Sequence, residues 1–208
     1  MGNKIINEVE KYYSDKVIKH GATPEGVDWN GLESQNIRFE QLVKIFDKEI
    51  AASSHFSLLD YGCGFGSLFS YLKNIKCDIR YFGFDISSEM LKQAGSIFPN
   101  EGSWLNTLPD NFRVDYVVAS GLFNVKLNQT EKEWERYILK TLKNINSICT
   151  KGFAFNILTS YSDVEFMKKY LHYASPEFYF NYCKTNYSKQ VAILHDYDLY
   201  EFTILVRK

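Results

Sequence analysis

The stretch Ser57-Leu58-Leu59-Asp60-Tyr61-Gly62-Cys63-Gly64-Phe65-Gly66-Ser67 decides how this chain folds. A short apolar run ends in a carboxylate and passes into three glycines at alternate positions. Such a run reads as a buried strand. Glycines after it let the backbone turn tightly and leave no Cβ between chain and ligand. A second apolar run, Ile79-Arg80-Tyr81-Phe82-Gly83-Phe84-Asp85, ends in another acid about 20 residues later. Strand, glycine turn, helix, strand and acid is the order in which an open α/β sheet builds a nucleoside pocket, the second acid reaching the ribose hydroxyls. A dinucleotide fingerprint would read G-x-G-x-x-G. Here Ser67 stands where that pattern wants its third glycine.

Outward from this motif, strands and helices alternate. Strands are expected at 58–61, 79–84, 103–105, 114–119 and 152–158. The run 114–119 is nearly all apolar, as a strand covered on both faces should be. Helices are expected at 67–74, at 87–97 with Ser87 as cap and Glu89 in its first turn, and at 131–148. In the last, Trp134, Ile138, Leu142 and Ile145 fall at three- and four-residue steps. Two more strands, 191–194 and 202–206, lie too close in sequence for a helical crossover and should pair antiparallel. Ahead of the motif, 3–19 reads as a helix on Ile5, Ile6, Val9, Tyr12 and Tyr13, and 20–31 as a Gly/Pro-punctuated loop. A helix over 32–52 buries Ile37, Leu42, Ile45 and Phe46. The result is an α/β fold, a mostly parallel seven-stranded sheet with an antiparallel C-terminal hairpin and helices on both faces.

No repeat, low-complexity tract or linker interrupts the 208 residues, so one domain spans 1–208, long enough for a sizeable core. A net charge of −1 gives no global pull toward nucleic acid. No run approaches the ~18 apolar residues of a membrane span. Early acids rule against a signal peptide, and Gly2 lacks the Ser or Thr of a myristoylation site. Cys63, Cys77, Cys149 and Cys183 form no C-x-x-C pair and read as free thiols of a reducing, cytoplasmic setting. With 15 Tyr and 16 Phe, there are rings enough for some to line a pocket rather than fill a core.

The loop Asp60-x-Gly62-x-Gly64-x-Gly66, followed by Asp85, resembles the cofactor loop of class I S-adenosylmethionine-dependent methyltransferases. The likeness in layout covers roughly 32–208; its specific part is 58–67 and 79–86. It implies S-adenosylmethionine as cofactor. Asp60 would hold the amino acid end, with backbone N–H groups of Gly62, Cys63, Gly64 and Gly66 nearby. Asp85 would bind both ribose hydroxyls, and Ile86 would pack on the adenine. The family often carries an Asp after strand three for the adenine amino group. This chain has none, so Trp104 or Asn106 would stand in, with Leu105 beside them. Ser120, after strand four, and Arg38, placed to meet the cofactor carboxylate, complete the expected cofactor set.

The acceptor should lie outside the C-terminal ends of the later strands. His195 is the first candidate for a base and His20 the second, since imidazole titrates near neutrality. His195 equally reads as a hairpin-turn residue. Tyr12, Tyr13, Trp29, Asn124, Tyr161 and Tyr197 are candidates for acceptor contacts, with 1–31 covering the site and an aromatic-rich insert at 160–189 lining it. The Asn/Asp-Pro-Pro-Tyr/Phe sequence of base-methylating relatives is replaced by Ser120-Gly121-Leu122-Phe123, which argues against a nucleobase target. No carboxylates gather after strands four and five, so no metal is expected.

These features together imply metal-independent methyl transfer to O or N of a small polar metabolite. The segments 20–29 and 195–198 look similar to bacterial methyltransferases of surface-carbohydrate biosynthesis, which implies a sugar or sugar nucleotide. The alternative is a non-catalytic partner subunit that binds S-adenosylmethionine or S-adenosylhomocysteine. A nicotinamide oxidoreductase is opposed by Ser67. Oligomeric state is not legible.

Overall fold

A computed structural model describes residues 2–23, with side chains from Ile5 onward, and 31–208. Its centre is a seven-stranded sheet in the order β3-β2-β1-β4-β5-β7-β6. The strands are β1 (Phe56–Tyr61), β2 (Ile79–Phe84), β3 (Ser103–Leu105), β4 (Val114–Ala119), β5 (Cys149–Leu158), β6 (Gln190–Leu194) and β7 (Glu201–Arg207). The first five pair in parallel. β7 inserts antiparallel between β5 and β6, so the expected hairpin closes the sheet.

Alternation along β1 sends side chains to opposite layers. Leu58 joins Phe46, Leu72 and Tyr81 beneath α2 (Leu32–Val43) and α4 (Ser67–Asn74). Leu59 joins Trp134, Ile138 and Phe155 beneath α6 (Glu131–Ile148). α6 starts on a capping box: Thr130 and Glu133 satisfy each other's backbone N–H groups. α5 (Ser88–Ile97) starts on Ser87, whose hydroxyl accepts from Met90 N. α1 (Gly2–His20) crosses the C-terminal edge of the sheet. Glu8 reaches Gln129 just before α6, and the Ser14 and Ser87 hydroxyls meet 2.8 Å apart just before α5.

Two expectations change. The helix read over 32–52 is broken by a 3₁₀ turn at Lys44–Phe46 before α3 (Asp47–Ala51). The tighter turn drops Phe46 into the core against Phe56 and Tyr116, at ring separations of 4.9 and 5.7 Å. The insert 160–189 contains α7 (Pro176–Asn186), capped by Ser175 with Pro176 at its first position. Tyr179 and Cys183 fix it to the core.

Candidate active site

Where β1 and β2 end, the chain builds a cavity of about 390 Å³, within the roughly 300–1,000 Å³ of small-molecule sites. Its floor is the glycine loop. Gly62, Gly64 and Gly66 all have left-handed φ, at 87°, 53° and 88°. A Cβ on Gly66 would stand 2.7 Å from the Trp104 ring, so this glycine serves close packing behind the loop. The loop's N–H groups are committed within the protein. Those of Gly62 and Cys63 donate to Phe84 O at 2.7 and 3.0 Å, and that of Gly66 to Cys63 O at 3.0 Å. Gly64 N donates to Asp85 Oδ2 at 2.9 Å, while Asp85 Oδ1 accepts from Ser87 N at 2.9 Å. The loop is thus tied to the tip of β2, and what it offers a ligand is bare backbone.

Two carboxylates face this space. Asp60 is 2% exposed and accepts one side-chain hydrogen bond, from the Tyr81 hydroxyl at 2.7 Å. Burial pushes its pKa up to about 7, against the pull of the Tyr81 hydrogen bond, and Asp85 adds a smaller upward push. Asp85 is also raised by burial, opposed by the N–H groups of Ser87 and Gly64. Neither forms an ion pair among the described residues. Cys63 lies beside them, its thiol held protonated by burial and by both acids.

Of the expected cofactor residues, the cavity gathers Asp60, Gly62, Cys63, Gly64, Asp85, Ile86 and Ser120. Tyr13 joins them from the expected acceptor set. Ser120 Oγ is buried without a hydrogen-bond partner. Bare backbone, uncompensated carboxylates and an orphaned hydroxyl suit a ligand with a cationic end and a ribose, so the residues fit the cofactor that the loop implies.

The remaining candidates lie elsewhere. Arg38 is taken by Glu201, through Nε at 2.8 Å and Nη2 at 2.7 Å. Trp104 stacks on Phe98 and donates to Glu101 O at 3.1 Å, behind the loop. Leu105, in the same strand, gives its carbonyl to Asp85 N. His195 is exposed beside Tyr161, and His20 is exposed in the last turn of α1; neither lines the cavity. Tyr161, 66% exposed, donates to Glu177, and Tyr197 pairs with Thr203. Asn124 is a strut: its side-chain oxygen accepts from Leu158 N at 3.1 Å. Tyr12 packs edge-on to Tyr13 outside the cavity, and Trp29 lies outside the described residues. No residue of 160–189 lines the cavity, because α7 spends its apolar face on the sheet.

Sequence reasoning expected 1–31 to cover the site without singling out Ile5, Ile6 or Val9, and it missed walls from two further helices. Ile5, Ile6 and Val9 of α1, Phe39 of α2, and Tyr137 and Thr141 of α6 all line the space. Their helical spacing was visible but reads equally as core. Among the described residues, no group of three or more His, Cys, Asp or Glu is placed to hold a metal, and no helix is long and apolar enough to cross a membrane.

Residues 59–140 match the model of a methyltransferase domain family. The protein Rv1506c of Mycobacterium tuberculosis (strain ATCC 25618 / H37Rv), whose name carries a methyltransferase assignment and no substrate, is 45% identical over 161 residues. The match covers 76% of this chain and 97% of that protein. Among solved structures, the N-methyltransferase NodS of Bradyrhizobium japonicum WM9, in complex with S-adenosylhomocysteine, aligns over 95% of this chain and 97% of its own, at 13% identity and a TM-score of 0.63. An S-adenosylmethionine-dependent methyltransferase of Clostridium acetobutylicum ATCC 824 covers 85% of this chain and 94% of its own, at 16% identity and a TM-score of 0.54. At such identities the structural likeness speaks for the fold, and the 45% relative for the family. With the loop tied to the tip of β2 and two carboxylates facing the space above it, the chain belongs to the class I S-adenosylmethionine-dependent methyltransferases.

Proposed function

We propose that this chain methylates an amine nitrogen of a small-molecule acceptor, with Asp60, Asp85, Ile86 and Ser120 holding the cofactor and no metal taking part. The bound cofactor supplies a methyl group on a positively charged sulfur, which departs as a neutral thioether. The protein must then align the acceptor and see that its nucleophile carries a free electron pair.

One observation carries the choice of nitrogen. Among the described residues, no histidine lines the cavity. A hydroxyl acceptor would need a base, and Glu133, the carboxylate that α6 adds to the lining, is engaged in the capping box with Thr130; a neutral amine needs none before attack. The walls that α1 and α2 contribute are mostly apolar, Ile5, Ile6, Val9 and Phe39, with Gln35 the polar exception. An apolar surround lowers the pKa of an amine and keeps its lone pair free.

Two experiments test this. Calorimetric titration with S-adenosylhomocysteine should show binding that weakens tenfold or more in Asp85→Ala; unchanged binding would remove Asp85 from the site. Transfer from labelled cofactor should then be compared on matched amines and alcohols, including amino sugars with their parent sugars and sugar nucleotides. Turnover of the amines supports the assignment. Turnover confined to the hydroxyl compounds would overturn it.

A further inference from the structure

Asp60 presents a problem that the cofactor loop alone does not solve. It is sealed in the wall of the cavity, and its neighbours are a phenol, a thiol and a second carboxylate. Tyr81, from the middle of β2, gives its only proton to Asp60 Oδ2 at 2.7 Å. Tyr81 is itself 3% exposed, clamped between Phe69 and Trp104 at ring separations of 4.6 and 5.6 Å, so the phenol cannot turn away. Cys63, from the glycine loop, and Asp85, from the tip of β2, are the other titratable groups that bear on Asp60. Arg136 and Lys140 line the same cavity from α6, but no cation forms an ion pair with Asp60 among the described residues.

We propose that Tyr81 is a positioning residue for the cofactor's ammonium group, fixing the Asp60 carboxyl by one hydrogen bond, and that capture of the ammonium expels a proton from Asp60 to solvent. This rests on the reading that the cavity holds the amino acid end of the cofactor. The balance is simple. Asp60 begins as a neutral carboxylic acid; the arriving ammonium keeps all three of its protons; Asp60 releases its one proton and becomes the carboxylate of a buried ion pair. Before capture, a lone buried charge would be costly. After it, the pair is mutually compensated, and Tyr81 supplies the further hydrogen bond that a buried pair requires. The upward shift of Asp60 to about 7 agrees with this order of events. The phenol matters because it favours the charged form: without it, ionisation should need a higher pH.

The test is calorimetric titration with S-adenosylhomocysteine at pH 6, 7 and 8, in pairs of buffers of different ionisation heat. The probe carries the ammonium group and needs no acceptor. Proton release should be most of one proton per ligand at pH 6 and small at pH 8, and affinity should rise roughly tenfold across that range. 5′-Methylthioadenosine has the same adenosine and sulfur but no amino acid end. It would engage Asp85 without engaging Asp60, and should bind with no proton release.

In Tyr81→Phe, the rise in affinity should move to higher pH, so that the loss is greater at pH 7 than at pH 9. A purely structural role for Tyr81 would lower affinity equally at every pH. Should Tyr81→Phe fail to fold, Asp60→Asn should bind weakly, with neither proton release nor pH dependence. Tight binding without proton release at pH 6, or equal release with 5′-methylthioadenosine, would overturn the proposal and leave the cofactor site standing. Absence of binding by either compound would overturn the cofactor reading and this proposal with it.

Discussion

Asp60 and Glu201 stand on the same edge of the sheet with β4 and β5 between their strands, both buried carboxylates, in contrary surroundings. Glu201, 1% exposed at the start of β7, is saturated. Arg38 of α2 grips Oε1 with two N–H groups, and the Asn156 amide donates to Oε2. Asn156 Oδ1 in turn accepts from Gly121 N at 2.8 Å, so a continuous polar strut runs from α2 through β7 and β5 to the loop after β4. Asp60 has Tyr81 and no cation. A buried charge with its partner inside the fold is architecture. A buried acid whose missing partner must come from outside is a site. Fold position alone does not tell them apart, since both acids sit on the edge of the sheet where the parallel strands end and ligands bind.

The largest effect should come from breaking the strut. Arg38→Ala leaves Glu201 buried and uncompensated, with an expected loss of about 3–5 kcal/mol in urea unfolding. Affinity for S-adenosylhomocysteine should change by less than about threefold, since Arg38 does not line the cavity and 1.4 kcal/mol is tenfold in affinity. A small loss of stability with a tenfold loss of affinity would instead return Arg38 to the cofactor carboxylate.

That contrast marks what could be read from the chain. The strand order, the glycine loop and the pair Asp60 and Asp85 are local patterns: a run, a turn and an acid at a fixed distance. The resemblance places Arg38 at the cofactor carboxylate; its actual partner lies 163 residues away, and nothing in the sequence joins the two. Tyr81 was visible only as one aromatic of a buried strand; its role needs the register that sets Leu58 opposite it and Asp60 one step along the same face. α7 is legible after all, since Ser175-Pro176-Glu177 is a helix-start signal set amid the aromatics. A hairpin places His195 at the expected edge of the sheet, where it does not line the cavity.

A middle-sized effect should separate the two acids by stability alone. The folded-state pKa of Asp60 lies above the ordinary 3.8, at about 7. The fold therefore favours the protonated acid. Its contribution is fully present below pH 3.8, is lost as pH rises to about 7, and stays lost beyond. Asp60→Asn cannot ionise. Without cofactor, it should be more stable than the natural chain at pH 8, by about 0.5–2 kcal/mol, with the gap closing toward pH 4. Thermal melting at the two pH values measures this. A destabilised Asp60→Asn at pH 8 would mean that Asp60, like Glu201, is satisfied inside the fold.

The smallest effect concerns His172, a buried group that burial disfavours as a cation although Glu131 lies beside it. It lies in the segment whose backbone ties to Asn124, Lys126 and Leu127, and its Nε2 is buried without a partner. Burial holds its pKa below the ordinary 6.5 despite Glu131 at 2.7 Å from Nδ1. Its sign is opposite to that of Asp60. The unfolded chain takes the proton more readily, so stability is full above pH 6.5 and is lost as pH falls below it. Between pH 6.5 and 5, the two groups pull against each other, Asp60 gaining what His172 loses. His172→Gln removes one side of that balance. Its urea midpoint should therefore rise, relative to the natural chain, on going from pH 7.5 to 5.5, by an amount worth less than about 1.4 kcal/mol. In Asp60→Asn the same comparison should run the other way, because only the His172 side remains. If both variants track the natural chain across this range, neither group changes its proton count on unfolding, and the contrast between a waiting acid and a satisfied one would have to rest on ligand binding alone.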